Sequence, residues 1–272
     1  DGEKLEAAVT ALVNTKNSLL KNFYGLEELD AGEMLANIKS FVPKIAPYIG
    51  DTRRALRDAI DKDLDILCEG AQGTMLDIDH GTYPFVTSSN TVSAGACTGL
   101  GIPPNKIDTV IGVVKAYTTR VGEGPFPTEL TDDMGETLRG EGAEFGATTG
   151  RPRRCGWFDG MVARYSVELN GIGEIALTKL DVLDKLKTIK ACVAYEVDGK
   201  RVESISDDVS ILERAKPVYD EFDGWQSTTA GTTEFDKLPD NAKKYINFLE
   251  KHMDAEIKII STGKDRNSTV LL

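Results

Sequence analysis

Histidine is nearly absent from this 272-residue chain, which has only His80 and His252. A His-rich metal centre is excluded, and a Ser–His–Asp triad would have to use one of these two. Cysteine is sparse: the four residues at 68, 97, 155 and 192 fit no zinc or redox spacing. They read as reduced thiols of a cytoplasmic protein. No apolar run approaches the roughly 20 residues that a membrane-spanning helix needs, so no membrane partner is expected. Positive charge is outnumbered, 32 Lys and Arg against 44 Asp and Glu, for a net charge of -12. That balance argues against a nucleic-acid surface, which needs excess cations to neutralise phosphates. The opening Asp1-Gly-Glu-Lys-Leu-Glu6 has no initiator methionine and no signal-peptide pattern, so it reads as the interior of a longer chain. Finally, Gly-x-x-x-x-Gly-Lys-Ser/Thr occurs nowhere. If a nucleoside triphosphate binds, its phosphate cradle comes from elsewhere.

Hydrophobic residues make up 40% of the chain, enough for one large α/β domain or two smaller ones. Residues 1–63 read as a helical subregion. Leu5, Val9, Leu12, Val13, Leu19 and Leu20 recur at helical spacing, Asp30 and Asp51 are placed as caps, and no chemistry is evident. Residues 64–272 read as the α/β ligand-binding part of one domain. Strands are predicted at Leu64–Glu69, at the near-continuous apolar run Thr109–Tyr117, at Ile175–Thr178, at Ile189–Val197 and at Glu256–Ile260. The run Thr109–Tyr117 is the pattern of a buried parallel strand. Asp198-Gly199 predicts a hairpin turn. Helices are predicted over Trp157–Leu169 and from Pro239 to about Met253, while residues 217–231 read as irregular. A largely parallel central sheet flanked by helices follows.

Several stretches carry candidate chemistry. Between Gly146 and Gly156, Thr148, Thr149 and Gly150 are followed by Arg151, Arg153 and Arg154, a cationic loop in an acidic chain. Arginine forks match carboxylates and phosphates, and glycine lets backbone N–H groups approach an anion. An anion-binding loop is one reading; a basic turn paired with surrounding acids is the other. Met75–Gly95 is long, polar and aromatic, as functional loops are. Within and beside it, Gln72 and Thr87 suit a base or sugar. Asp77 and Asp79 are either metal ligands or turn-holding acids. Arg120, Val121 and Gly122 follow a strand end, where ligands of open α/β sheets lie. Thr178-Lys-Leu-Asp181 ends another strand. Its carboxylate could accept from the N1–H and 2-amino groups of guanine, a donor pair that adenine lacks. The lysine stem could lie along the ring. Ser261–Arg266 is a further small, polar strand end.

Four of these stretches, in this order, closely resemble signature segments of the adenylosuccinate synthetase family: Cys68–Asn90, Val114–Glu129, Gly146–Trp157 and Thr178–Asp181. The resemblance covers the whole chain but only the C-terminal part of the family's length. It implies a P-loop-NTPase-like fold that is incomplete here, and a ligase forming a C–N bond in AMP biosynthesis. GTP phosphorylates the 6-oxygen of IMP, and L-aspartate then displaces the phosphate. By resemblance Gln72 is catalytic, stabilising charge at that oxygen. Thr87 holds the IMP phosphate, Val121 contacts IMP through its backbone, and Arg151 touches its ribose. Ala147, Thr148, Thr149, Gly150 and Arg151 bind aspartate. Arg153 reaches GTP, Lys179, Leu180 and Asp181 read guanine, and Ser261, Thr262 and Gly263 close over the base. The family's Mg²⁺ would be held outside these residues, as would its phosphate loop and catalytic histidine. A cytoplasmic homodimer is implied. Lys264 stands where proline is expected in many members. The competing reading is a non-catalytic guanine-nucleotide or dicarboxylate-binding module, or a structural fragment. A hydrolase built on His80 with Asp77 or Asp79 is a third.

Overall fold

The computed structural model describes residues 1–146, 150–205 and 209–272. The chain divides into two compact units, Asp1–Asp65 and Ile66–Leu272. The first unit contains α1 (Gly2–Leu19), α2 (Ala31–Ile45) and α3 (Thr52–Asp61). Each starts at an aspartate that accepts a first-turn N–H: Asp1 from Lys4, Asp30 from Glu33 and Asp51 from Arg54. The return between α1 and α2 is fixed by Asn17, whose amide bonds both the carbonyl and the N–H of Leu29, at 2.8 and 2.7 Å.

The second unit runs through α4 (Ala94–Leu100), β1 (Ile111–Lys115), β2 (Thr118–Arg120), α5 (Asp133–Gly142), β3 (Arg154–Gly156) and β4 (Phe158–Asp159). It continues through α6 (Gly160–Asn170), β5 (Glu174–Thr178), β6 (Thr188–Val197), β7 (Lys200–Val202) and α7 (Val209–Arg214). Then follow β8 (Lys216–Asp223), α8 (Asp240–Met253), β9 (Glu256–Ser261) and β10 (Thr269–Leu271). One sheet has the order β1-β5-β9-β10, with β1, β5 and β9 parallel and β10 antiparallel at the edge. In a second sheet β6 pairs in parallel with β4 and antiparallel with β7 and β8. The architecture is α/β with mixed sheets. The core gathers Leu177, Ile257 and Ile260 from the first sheet with Tyr245 and Leu249 of α8. Buried Tyr245 donates its hydroxyl to the Ala116 carbonyl at 2.9 Å, tying α8 to the chain just beyond β1.

Four expectations change. Leu64–Glu69 forms no strand. Leu67 is 92% exposed, and no ladder partner faces this segment among the described residues. Thr109–Tyr117 does contain a parallel strand, β1, which among the described residues pairs with β5 alone and leaves Val113 75% exposed in this chain. The helix predicted from Trp157 starts at Gly160, because Phe158 and Asp159 pair with β6 and the Asp159 carboxylate caps α6 by accepting from the Val162 N–H. Residues 217–223, expected to be irregular, belong to strand β8. No two-residue alternation marks the strand, since Pro217, Val218 and Tyr219 are all half-buried and Asp220 and Glu221 both exposed; pairing with β6 forms it. The predicted hairpin at Asp198-Gly199 is present, with φ of 51° and 76°.

Gly224, just after β8, donates its N–H to the Lys187 carbonyl at 2.8 Å. A Cβ there would lie 1.8 Å from the Leu186 carbonyl oxygen, which is backbone and cannot step aside. Gly224→Ala is expected to cost about 3 kcal/mol, read as a lower denaturant midpoint. An unchanged midpoint would show that this close approach is not required.

Candidate functional site

Parallel pairing sets the carboxyl ends of β1, β5 and β9 at one edge of the sheet. A cavity of about 310 Å³ opens there, at the small end of the range for small-molecule sites. Thr178, Lys179 and Asp181 line it from the end of β5, and Ser261 and Gly263 from the end of β9. The exposed residues Glu141 and Lys264 also line it. Lys179 sits at φ 63°, a left-handed conformation that non-glycine residues seldom adopt, and it starts the short 3-10 turn Leu180–Leu183. Its ammonium donates to the Gly142 carbonyl at 2.7 Å, so its stem is held across the cavity wall. Leu180 is fully buried and anchors the turn. Asp181 is left half-buried in the wall. Burial pushes its carboxyl above the usual value, assisted by Asp184, against its own backbone N–H and the cations Lys179 and Lys264.

That turn is braced from the far side. Asp184 accepts from the Trp225 indole, the Thr229 N–H and the Thr229 hydroxyl, each at 2.7 Å. The other wall is shaped by its own hydroxyls. Ser261 donates to the Gly263 carbonyl at 2.9 Å, and buried Thr262 donates to the carbonyls of Thr232 and Ser268. The Thr262 side chain is thus spent internally, as Leu180 is, and the structure brings neither side chain to the cavity.

Next to this cavity lies a charged cluster that sequence reasoning missed. Glu144 is 0% exposed. Its carboxylate accepts from the Lys115 ammonium at 2.8 Å, the Tyr117 hydroxyl at 2.6 Å and the Arg153 guanidinium at 2.7 Å. Burial pushes the Glu144 carboxyl up, but these donors and the Lys115 charge outweigh it and hold it below the ordinary value. Gly142 permits the arrangement, since a Cβ there would lie 2.2 Å from the Tyr117 hydroxyl. The available signals were small: a lysine closing an apolar run, and an acid lodged between glycines.

The loop from Gly146 to Trp157 splits its arginines between roles. Arg154 forms a bidentate pair with Glu129 and also donates to the Gly122 and Gly124 carbonyls, so for it the reading as a paired structural cation holds. Arg153 joins the Glu144 cluster. Exposed Arg151 accepts from the Gly146 N–H through its carbonyl, and Gly150 sits at φ 65°. The expected aspartate ligands Ala147, Thr148 and Thr149 lie outside the described residues. Pairing of β2 with β3 sets Arg154 opposite Arg120, and so runs the Arg151–Arg153 stretch alongside the loop that begins at Val121.

The loop bearing Gln72 and Thr87 is organised by Asp77. This buried carboxylate accepts from the N–H groups of Asp79, His80, Thr91 and Val92. Burial pushes its carboxyl up, and the four donors outweigh that and hold it below the ordinary value. Asp79 is bonded to the Asn90 amide at 2.7 Å. Both Asp77 oxygens and one Asp79 oxygen are therefore engaged in building the loop. His80 shares this duty: its carbonyl accepts from the Tyr165 hydroxyl at 2.8 Å. Gln72 is exposed at φ 62°, one residue from Gly73, whose carbonyl accepts from Thr91. Thr87 is half-buried, with its N–H on the Leu76 carbonyl. Arg120 is buried and donates to Thr82, Phe85 and Glu123, linking the turn before Thr87 to the loop of exposed Val121. Its Nε and Nη2 are engaged in that task. Burial, and to a lesser degree Arg154, lowers its pKa to about 10.

Among the described residues, no group of His, Cys, Asp and Glu is arranged to hold a metal, and no helix is long and apolar enough to cross a membrane. All four cysteines are free.

Comparison with known proteins fits this arrangement. The family model for adenylosuccinate synthetase matches residues 1–270. The adenylosuccinate synthetase of Thermodesulfovibrio yellowstonii is 51% identical over 98% of this chain and 63% of its own length. That of Brachyspira hyodysenteriae is 49% identical over 96% of this chain and 61% of its own. The structure of fully ligated adenylosuccinate synthetase from Plasmodium falciparum superposes with a TM-score of 0.94 at 39% identity, covering 100% of this chain and 64% of that one. The chain therefore spans somewhat under two thirds of the length of these relatives. A match along nearly the whole chain, in sequence and in fold, establishes that it belongs to the adenylosuccinate synthetase family.

Proposed function

We propose that this chain supplies the guanine, IMP and aspartate contacts of an adenylosuccinate synthetase, a GTP-dependent ligase that joins IMP to L-aspartate through a 6-phosphoryl-IMP intermediate. The observation that carries this reading is the shared cavity of Lys179, Asp181, Ser261 and Gly263 at the tips of neighbouring parallel strands. In it, Asp181 accepts from guanine N1–H and the 2-amino group, and the Lys179 stem lies along the base. Gly263 and the backbone of Thr262 close over it. Arg153 faces the GTP phosphates. Arg151 and Gly150, with Ala147, Thr148 and Thr149, hold the two aspartate carboxylates. Thr87 and the Val121 backbone hold IMP, with Arg151 on its ribose, while Gln72 donates to the 6-oxygen as charge develops there.

Phosphoryl transfer depends on positioning and charge stabilisation. The family's Mg²⁺ would supply part of that charge at the GTP phosphates. Among the described residues no group of His, Cys, Asp and Glu is arranged to hold it, and Asp77 is committed to the loop. The metal and a phosphate-cradling loop are assigned to segments of the relatives beyond this match, and a homodimer in the cytoplasm is the working state.

The competing reading, binding without catalysis, is favoured for the isolated segment by the absence of a Gly-x-x-x-x-Gly-Lys loop. The 272-residue chain by itself is expected to form no adenylosuccinate from IMP, GTP and aspartate, whereas the full-length protein carrying it does. Chromatographic product analysis decides the matter. Turnover by the isolated chain would refute the division of labour, and none by the full-length protein would refute the assignment.

A further inference from the structure

Lys115 has no role in the reading above, and its placement is specific. It is the last residue of β1 and pairs with Thr178, which lines the cavity. Its ammonium is held by the Thr119 hydroxyl at 2.7 Å and by Glu144. Arg153 shares Glu144, and Lys179 is bound only one turn away, to the Gly142 carbonyl. Lys115 is thus partly buried beside Arg153 and Lys179, three cations that share two carboxylates, Glu144 between Lys115 and Arg153 and Asp181 near Lys179. Burial lowers its pKa, and both Arg153 and Lys179 repel it. Clustered cations without a matching anion are unfavourable. Moreover, the Arg153 Nε is buried and finds no acceptor among the described residues. An orphaned donor inside an under-neutralised cationic cluster is the signature of a site that an anion completes.

We propose that Lys115 is a second cation of the nucleotide-phosphate site beside Arg153, with Glu144 as the positioning residue that spaces the two around the incoming phosphates. This rests on the guanine-nucleotide reading of the cavity. Glu144 acts through the cations it holds: each of its oxygens fixes a donor, so the two positive groups stay separated and directed instead of relaxing onto the surface. Phosphate then takes the donor directions that Glu144 leaves open.

The test is calorimetric titration of the full-length protein with GDP, guanosine and succinate, comparing wild type, Lys115→Met and Glu144→Gln. Wild type binds GDP more tightly than guanosine. Lys115→Met weakens GDP roughly tenfold, the scale of one charge-assisted contact, and leaves guanosine unchanged. Glu144→Gln also weakens GDP several-fold, although it removes a negative charge; a site acting by net charge alone would bind GDP more tightly. A merely structural role would move GDP and guanosine together. An unchanged GDP-to-guanosine ratio in Lys115→Met overturns the proposal, as does tighter GDP binding in Glu144→Gln. Loss of succinate binding instead of GDP binding in Lys115→Met reassigns the cluster to the dicarboxylate and overturns it too. Should Glu144→Gln not fold, the Lys115→Met ratio decides by itself. If wild type binds neither GDP nor guanosine, the cavity reading fails first and takes the proposal with it.

Discussion

Asp181→Asn is expected to remove most of the preference for guanine nucleotides, on the order of a hundredfold or more in the affinity ratio of GDP to ADP. The reason lies in hydrogen-bond polarity. An ionised carboxylate offers only acceptors, matching the two donors on one edge of guanine. Asparagine replaces one acceptor with an amino group that would face those donors directly, at a cost of roughly 3 kcal/mol from a lost charge-assisted bond and an opposed donor pair. The 3-10 turn at Leu180–Leu183 is braced by Asp184 and buried Leu180, so the substituted side chain has little freedom to turn away. The fold should be indifferent, since Asp181 is half-buried at a cavity wall and its carboxylate is bonded only locally, by its own backbone N–H. Competition titrations of GDP against ADP and IDP measure the effect. Inosine lacks the 2-amino group, so the variant should lose GDP selectivity over IDP as well. Undiminished selectivity would remove Asp181 from base recognition.

Asp77→Ala carries the largest expected stability effect, about 4 kcal/mol and a melting temperature lower on the order of 10 °C. One fully buried carboxylate satisfies N–H groups from both ends of the loop, at Asp79 and His80 and at Thr91 and Val92. Alanine orphans all four donors. Asparagine retains one carbonyl oxygen and should fall between wild type and alanine. The pH dependence has a definite sign. The folded-state pKa of Asp77 lies below its ordinary value of 3.8. Its contribution is therefore complete above that value and is lost as the pH falls below it. Wild type should lose stability on acidification more steeply than Asp77→Asn, and the two curves should converge in strong acid. Parallel curves would mean that the ionised form is not what holds the loop. Because this loop bears Gln72 and Thr87, Asp77→Ala should also weaken IMP while sparing GDP at the other strand ends.

Local chemistry made much of this legible in advance. Helix starts at Asp30 and Asp51 follow from a carboxylate's affinity for free N–H groups, and the turn at Asp198-Gly199 from the scarcity of residues that tolerate positive φ. Thr178–Asp181 and Ser261–Gly263 were identifiable as candidate cavity segments because polar residues close apolar strands there, and Thr178, Lys179, Asp181, Ser261 and Gly263 do line the cavity. Burial was harder to foresee. Strand β1 has the composition of a central strand, and within this span it pairs on one side only, while β8 has no two-residue alternation in its burial and so gave no strand signal. Arg120 stood at a strand end, where a ligand contact is expected, but its Nε and Nη2 are engaged with Thr82 and two carbonyls.

What the sequence by itself determined is which segments take local form and which strand ends carry groups able to recognise guanine and anions, because propensity, capping and hydrogen-bonding capacity belong to residues and near neighbours. Only the tertiary structure decided which charged groups are free to meet a ligand and which are spent on the protein. Glu144 lies 29 residues from Lys115 and 9 from Arg153, and Asp77 lies 14 from Thr91. The worth of a charge depends on the partner and the solvent it meets after folding, and neither is a property of sequence neighbours.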